Sequence, residues 1–216
     1  MGNLQALLWP KSIALVGASP DKKIIRGRLV EAIGQHPYSG TVYAVSRSHR
    51  KINGLACFRS VNDLPAGVDL AIITIPAEFV PSALEACGER GIGAAIVISS
   101  GFAEEEGDQG FNRQQKLATI AERHGIVSEA LRCAENELPS LDAIDSALSS
   151  GNFTHVASVH CETTSGIMNP VGKIGMLAQR YGCVHFVDLM SAFGGVAFDL
   201  ARCKADFLVS SANKCV

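Results

Sequence analysis

Residues 12–20, Ser-Ile-Ala-Leu-Val-Gly-Ala-Ser-Pro, constrain the fold more than any other stretch of this chain. An apolar run with two β-branched residues ends at Gly17 and is followed by the small residues Ala18 and Ser19. A helical pattern then begins near Gly27. This order predicts a buried strand that turns over a phosphate-sized ligand. Gly17 lets the backbone come close, and small neighbours leave room for an anion at the amide groups, in the field of the following helix. A strand that ends in glycine also occurs in α/β proteins for purely structural reasons, so the turn alone leaves that reading open.

The rest of the composition fits a globular chain able to bury a core. Hydrophobic residues make up 47% of the 216, and charged residues 19%. The net charge of −2 gives no reason to expect a nucleic-acid partner. No apolar run approaches the ~20 residues that span a bilayer, and the first nine residues lack a signal-peptide pattern, so no membrane association and a cytoplasmic location are expected. The seven cysteines occur singly, with no Cys-x-x-Cys pair, and are expected to be reduced and mostly buried. The six histidines are equally dispersed, and no metal site is expected.

Periodicity continues the α/β pattern through the first half. A helix is predicted over 26–35 with Leu29, Val30 and Ile33 toward a sheet, then a strand over 41–45 that leads into Ser46-Arg-Ser-His-Arg-Lys51. A nicotinamide-dinucleotide site usually places an acid near the end of this strand. Basic residues there, and the absence of Gly-x-Gly-x-x-Gly, favour a ligand with an extra phosphate, although a solvated charged loop explains the charge equally well. Further strands are predicted over 68–75, apolar on both faces, and over 93–98, with a crossover helix over 80–89. The turns Gly17-Ala-Ser19, Ile75-Pro76 and Ser99-Ser-Gly101 should therefore sit side by side at the carboxyl edge of a doubly wound parallel sheet, where such folds bind ligands.

These motifs together resemble one family. The series Ile13-Ala-Leu-Val-Gly-Ala-Ser-Pro20, Gly40-Thr-Val-Tyr-Ala-Val45, Ile52-Asn-Gly-Leu55, Asp63-Leu-Pro65, Val68-Asp-Leu-Ala71, Ile75-Pro-Ala77 and Ile98-Ser-Ser-Gly-Phe-Ala-Glu104 resembles the CoA-binding domain of ADP-forming acyl-CoA synthetases, relatives of the succinyl-CoA synthetase α subunit. The resemblance covers residues 7–126 and implies a Rossmann-like domain. It also implies that Gly17, Ala18, Ser19, Ser99, Ser100 and Gly101 hold the phosphates and pantetheine of CoA. The loop after the second strand would contact the nucleotide end; here it reads Val45-Ser46-Arg47, where the family usually has Val-Asn-Pro.

An amphipathic helix is predicted over 111–126, with Leu117, Ile120 and Ala121 inward. The strand and Gly-Pro-Asn turn that lead to the phosphohistidine domain in that family do not follow. Instead come a helix over 140–148 capped by Ser140, a strand over 154–160, a helix over 171–181, a strand over 184–187 ending in Asp188, and Phe207-Leu-Val-Ser-Ser-Ala-Asn-Lys-Cys-Val216. An aspartate at a strand end and a lysine after a Ser-Ser-Ala-Asn turn suit pyridoxal phosphate chemistry, in which lysine forms the Schiff base and the carboxylate keeps the pyridine nitrogen protonated. Alone, such a pair is more commonly two surface charges.

The sequence around the pair carries a second resemblance. His160-Cys-Glu-Thr-Thr-Ser-Gly-Ile-Met-Asn-Pro170, Val187-Asp-Leu-Met-Ser-Ala-Phe-Gly-Gly195 and Asp206-Phe-Leu-Val-Ser-Ser-Ala-Asn-Lys-Cys215 resemble class V aminotransferases, nearest the 2-aminoethylphosphonate:pyruvate transaminases. By that resemblance Lys214 carries the cofactor, Asp188 partners the pyridine nitrogen, and Thr164 offers a hydroxyl near the ring oxygen. Residues 127–216 would then be an incomplete α/β segment of an aminotransferase large domain, lacking the glycine-rich phosphate turn, the stacking aromatic residue and the small domain.

The chain therefore reads as a fusion of two families joined near residues 111–129, by natural deletion or by engineering. The first expectation is a module that binds CoA or an acyl-CoA as its small-molecule ligand. Thioester synthesis by this chain alone is not expected, and whether the chain is an enzyme stays open. The alternatives are a pyridoxal phosphate-dependent transaminase acting through Lys214, for which a homo-oligomer is one arrangement, and an inactive fusion remnant with unprotected strand edges. An NADP-type reductase competes for the front half.

Overall fold

The computed structural model describes residues 4–103, 105, 107–134 and 136–210. Within these the chain forms two compact units, one running to Ser128 and the other starting at Glu129.

The first unit begins with α1 (Leu4–Leu8), β1 (Ser12–Val16), α2 (Ile25–Gln35) and β2 (Thr41–Val45), and continues with the short strands β3 (Lys51–Ile52) and β4 (Leu55–Phe58). It is completed by β5 (Leu70–Ile73), α3 (Val80–Glu89), β6 (Ala94–Val97) and α4 (Asp108–Arg123), with 3-10 turns at Val61–Asp63 and Ala77–Phe79. The sheet order is β3-β4-β2-β1-β5-β6, and every pairing is parallel except β3 with β4. The sheet is thus parallel-dominated rather than wholly parallel. The sequence reading passed over the β3–β4 hairpin, whose turn places Asn53 and Gly54 at φ 47° and 87°, the conformation that an Asn-Gly pair favours.

Alternation along the central strands explains why both faces are covered. Ala14 and Val16 of β1 and Ala71 and Ile73 of β5 pack into one core with Val80 and Cys87 of α3 and Leu117 of α4. Ile13 and Leu15, with Leu70 and Ile72, pack into the other core against Leu29, Val30 and Ile33 of α2 and Leu7 of α1. Strands buried on both faces need apolar residues at every position, and β5 is buried at all four. Asp69 ties the base of the sheet together: its Oδ2 accepts from the Lys11 and Ser12 amides at 2.8 and 3.0 Å and from Ser12 Oγ at 3.2 Å.

The second unit contains α5 (Leu141–Ser150), β7 (His155–Val159), α6 (Val171–Arg180), β8 (Val184–Asp188), α7 (Leu200–Cys203) and β9 (Phe207–Val209). Its three strands form a parallel sheet in the order β7-β8-β9. The expected cap on α5 is present, with Ser140 Oγ accepting from the Ala143 amide at 3.2 Å. Ile144 and Leu148 of α5 and Ile174 and Ala178 of α6 are buried together in one cluster. The thiols depart from the expectation that most are buried: of the six described, Cys87 and Cys183 are buried, and Cys133 is exposed. Among the described residues no helix is long and apolar enough to cross a membrane.

Candidate functional site

The chain runs from β1 outward to β2, then returns to place β5 on the other side of β1. The carboxyl ends of β1 and β5 therefore flank the topological switch point, where open α/β sheets leave a crevice. A cavity of 480 Å³ lies there, lined by Gly17, Ala18, Ser19, Arg26, Ser46, Arg47, Ser48, His49, Arg59, Ser60, Asn62, Ile75, Pro76 and Phe79 together with apolar side chains. Its size is that of small-molecule sites.

Two glycines shape this end of the sheet. Gly17 has φ 96°, and a Cβ there would meet Ile75 Cγ2 at 2.7 Å and the Thr74 carbonyl oxygen at 3.2 Å, because β1 and the end of β5 converge at the turn. A Cβ on Gly27 would stand 1.9 Å from the Asp21 carbonyl oxygen, since the first turn of α2 presses onto the preceding loop. Ser19 Oγ accepts from the Asp21 amide at 3.2 Å, and Asp21 Oδ1 from the Lys23 amide at 2.9 Å.

The turn differs from expectation in which amides it can offer. The Gly17 and Ala18 N–H groups both donate to the Val45 carbonyl, each at 3.0 Å, and so lash β1 to the end of β2. Among the described residues the Ser19 amide has no protein partner.

Charge gathers on the side the sequence reading treated as an open question. Arg26 comes from the first turn of α2, Arg47 and His49 follow β2, and Arg59 follows β4. Among the described residues none of the three arginines has a carboxylate partner, and no acid lines the cavity. Asp63, beside the lining residue Asn62, is turned to the Ser60 amide and hydroxyl at 2.9 and 3.0 Å. Arg59 Nη1 donates to the Arg47 carbonyl at 2.7 Å, and the Arg47 guanidinium lies 5.1 Å from the centroid of the Phe79 ring. His49 Nδ1 stands 3.0 Å from Ser48 Oγ and 3.3 Å from Ser46 Oγ. Arg47 and His49 belong to the basic loop read from sequence, whereas Arg26, Arg59 and Phe79 carry no such local signal; the Asn53-Gly54 hairpin signal brings Arg59 to the edge beside Arg47.

The carboxyl ends of β1, β5 and β6 are neighbours in the sheet, yet Ser99, Ser100 and Gly101 do not line the cavity with Gly17, Ala18 and Ser19. Ser99 Oγ donates to the Ile75 carbonyl at 2.6 Å, and the Gly101 carbonyl accepts from Arg113 at 2.9 Å.

In the second unit Asp188 ends β8, and its Oδ1 accepts from the Met190 amide at 2.7 Å. Thr164 is exposed in the loop after β7, the parallel neighbour of β8. Neither lines the 450 Å³ cavity of this unit, which runs beside α5 and β7. Lys214 lies outside the described residues. Among the described residues no three His, Cys, Asp or Glu side chains gather as they would to hold a metal ion.

A parallel-dominated sheet wound on both faces, with a crevice at its switch point, makes the first unit a Rossmann-like α/β domain. The family model described as "CoA binding domain" matches residues 11–139, more than half of the chain, and the chain belongs to that family. A second family model, "Aminotransferase class-V", matches residues 115–216. Acetate–CoA ligase I (ADP-forming) of Archaeoglobus fulgidus is 41% identical over 123 residues, 57% of this chain and 18% of that protein. The 2-aminoethylphosphonate–pyruvate transaminase of Salmonella paratyphi B is 43% identical over 102 residues, 47% of this chain and 28% of that protein. The chain thus spans less than a third of either relative. Among solved structures, the apo form of the dinucleotide forming acetyl-coenzyme A synthetase 1 of Ca. Korarchaeum cryptofilum shares the fold, with a TM-score of 0.57 and 20% identity over 92% of this chain and 56% of that one. The front part therefore resembles the CoA-binding domain of ADP-forming acyl-CoA synthetases, and the rear part a fragment of a class V aminotransferase.

Proposed function

We propose that residues 7–126 bind CoA or an acyl-CoA, and that residues 127–216 are an aminotransferase segment joined to that module. The observation that carries this reading is the cavity at the switch point, with three arginines and a histidine in its lining and no carboxylate. A cavity so lined favours a ligand with several phosphoryl charges, because each unpaired guanidinium gains a charge-assisted contact when an anion enters. The Ser19 amide and Arg26 would take the diphosphate at the tip of β1. The acyl-bearing arm would run toward the ends of β5 and β6, where Ser99, Ser100 and Gly101 stand. Isothermal titration of the whole chain with CoA tests this: saturable heat with one site per chain is expected, and no heat at millimolar CoA rejects it.

A second reading has a specific observation in its favour. Thr164 follows β7 and Asp188 ends β8, adjacent parallel strands, and Val209 at the end of β9 pairs with Asp188, so the last described strand of this unit ends level with that carboxylate. Pyridoxal phosphate held there would supply an electron sink next to a carboxylate. Adding the cofactor should give an absorbance band near the visible edge that Lys214→Ala abolishes; a band indifferent to that change, or none, removes this reading.

A further inference from the structure

Arg47 differs from the other cations of the cavity in how it is held. Exposed at the rim of the cavity, its guanidinium lies 5.1 Å from the centroid of the Phe79 ring and its carbonyl accepts from Arg59 Nη1 at 2.7 Å, with no carboxylate partner among the described residues. An arginine laid on an aromatic face keeps its N–H edge free for an anion in the plane of the guanidinium.

The register of the sheet locates this edge relative to the turn after β1. Val16 pairs with Val45, and Val45 with Phe58, so β1, β2 and β4 end level with one another. Neighbouring strands lie about 4.8 Å apart. Two groups of donors follow from this row: Ser19 N–H with Arg26 beyond β1, and Arg47, His49 and Arg59 one and two strands away. One and two strand spacings are about 5 and 10 Å, so the strand ends that carry the two groups are too far apart for a single phosphate to engage both. A ligand with only a 5′-diphosphate would satisfy the first group and leave the second uncompensated.

Resting on the phosphate-binding reading of this cavity, we infer that Arg47 is a specificity-determining residue that selects adenine nucleotides bearing a ribose phosphomonoester in addition to the 5′-diphosphate. That chemistry is shared by CoA, with the ester at the 3′ position, and by NADP, with the ester at the 2′ position; CoA is the member expected from the proposed function.

The test uses the whole chain and two ligand pairs, CoA with dephospho-CoA and NADP+ with NAD+, titrated into wild type, Arg47→Met and Arg47→Lys. Met keeps an apolar contact with Phe79 but has no charge, and Lys keeps the charge without the planar donor edge. Wild type should prefer CoA over dephospho-CoA by roughly tenfold or more, the range of a charge-assisted contact. In Arg47→Met the preference should shrink to about twofold or less while dephospho-CoA affinity stays level, and Arg47→Lys should restore part of it. A purely structural role for Arg47 would weaken both ligands of a pair together. Equal binding of CoA and dephospho-CoA by wild type, or a preference that survives in Arg47→Met, overturns the inference and leaves the CoA-binding reading intact. Preference for NADP+ over NAD+ that depends on Arg47, with no CoA binding, supports the inference and rejects the CoA module. No heat from any of the four ligands rejects both.

Discussion

Gly17 shows how one residue serves both the fold and the cleft. Its positive φ turns the chain at the end of β1, and its missing side chain lets the end of β5 approach. Gly17→Val would force a β-branched residue into the left-handed region and against Ile75 and Thr74. A loss of about 2–4 kcal/mol in urea unfolding is expected, and CoA affinity should fall with it because the Ser19 amide is displaced. Unchanged stability would mean that β1 and β5 are not held together there. Asp69 makes a different kind of prediction, since it touches no cavity residue. Asp69→Ala leaves the Lys11 and Ser12 amides without their acceptor and should cost about 1–3 kcal/mol, with CoA affinity in the residual folded protein unaltered.

At the level of elements, what could be read from sequence follows from burial. β1 and β5 were legible because strands covered on both faces must be apolar throughout. α2 and α4 were legible because their buried residues recur at helical spacing: Val30 is 3% exposed and Ile120 0%. β3 and β4 were missed because two and four residues carry too little periodicity, and β4 has no fully buried residue to mark a face. The cleft was half legible for the same reason. Its turn after β1 has a local signature, whereas Arg26, Arg47, Arg59 and Phe79 come from four separate segments that only tertiary pairing brings to one edge. That Ser99, Ser100 and Gly101 lie outside the lining of this cavity is also a tertiary matter: adjacency of strand ends does not decide which way a turn faces, and Ser99 Oγ donates to the Ile75 carbonyl. Local chemistry alone did specify the start of α5, where Ser140 caps the Ala143 amide. Ser140→Ala should destabilise the second unit by about 1 kcal/mol, read as a lower urea midpoint of its transition, and a midpoint shift in the first unit instead would contradict the assignment.

For the molecule as a whole, the two units carry opposite handles on their stability, and these can be pulled separately. CoA, if it binds the cavity at the switch point, stabilises only the unit that contains it, by about 2.7 kcal/mol at a hundredfold excess over Kd. Protons act on the other. His185 in β8 is fully buried with its Nε2 2.9 Å from Ser158 Oγ, and desolvation, outweighing the Lys204 and Cys203 backbone groups and the Asp206 carboxylate, holds its pKa below the ordinary 6.5. His160, also buried and edge-on to Phe198, is shifted the same way by burial. A histidine with a lowered folded pKa stays neutral in the native state while the unfolded chain takes up a proton. Stability is therefore complete above the unfolded value and is lost as pH falls through 6.5 toward the folded values. Calorimetry should then resolve two transitions. Added CoA should raise one and leave the other in place, while acidification from pH 7.5 to 5.5 should lower chiefly the one CoA does not move, and His185→Gln should blunt that acid sensitivity. A single transition that responds to both would show that the units unfold as one cooperative body, and the partition of the chain into a ligand-binding module and a separately stable segment would have to be abandoned.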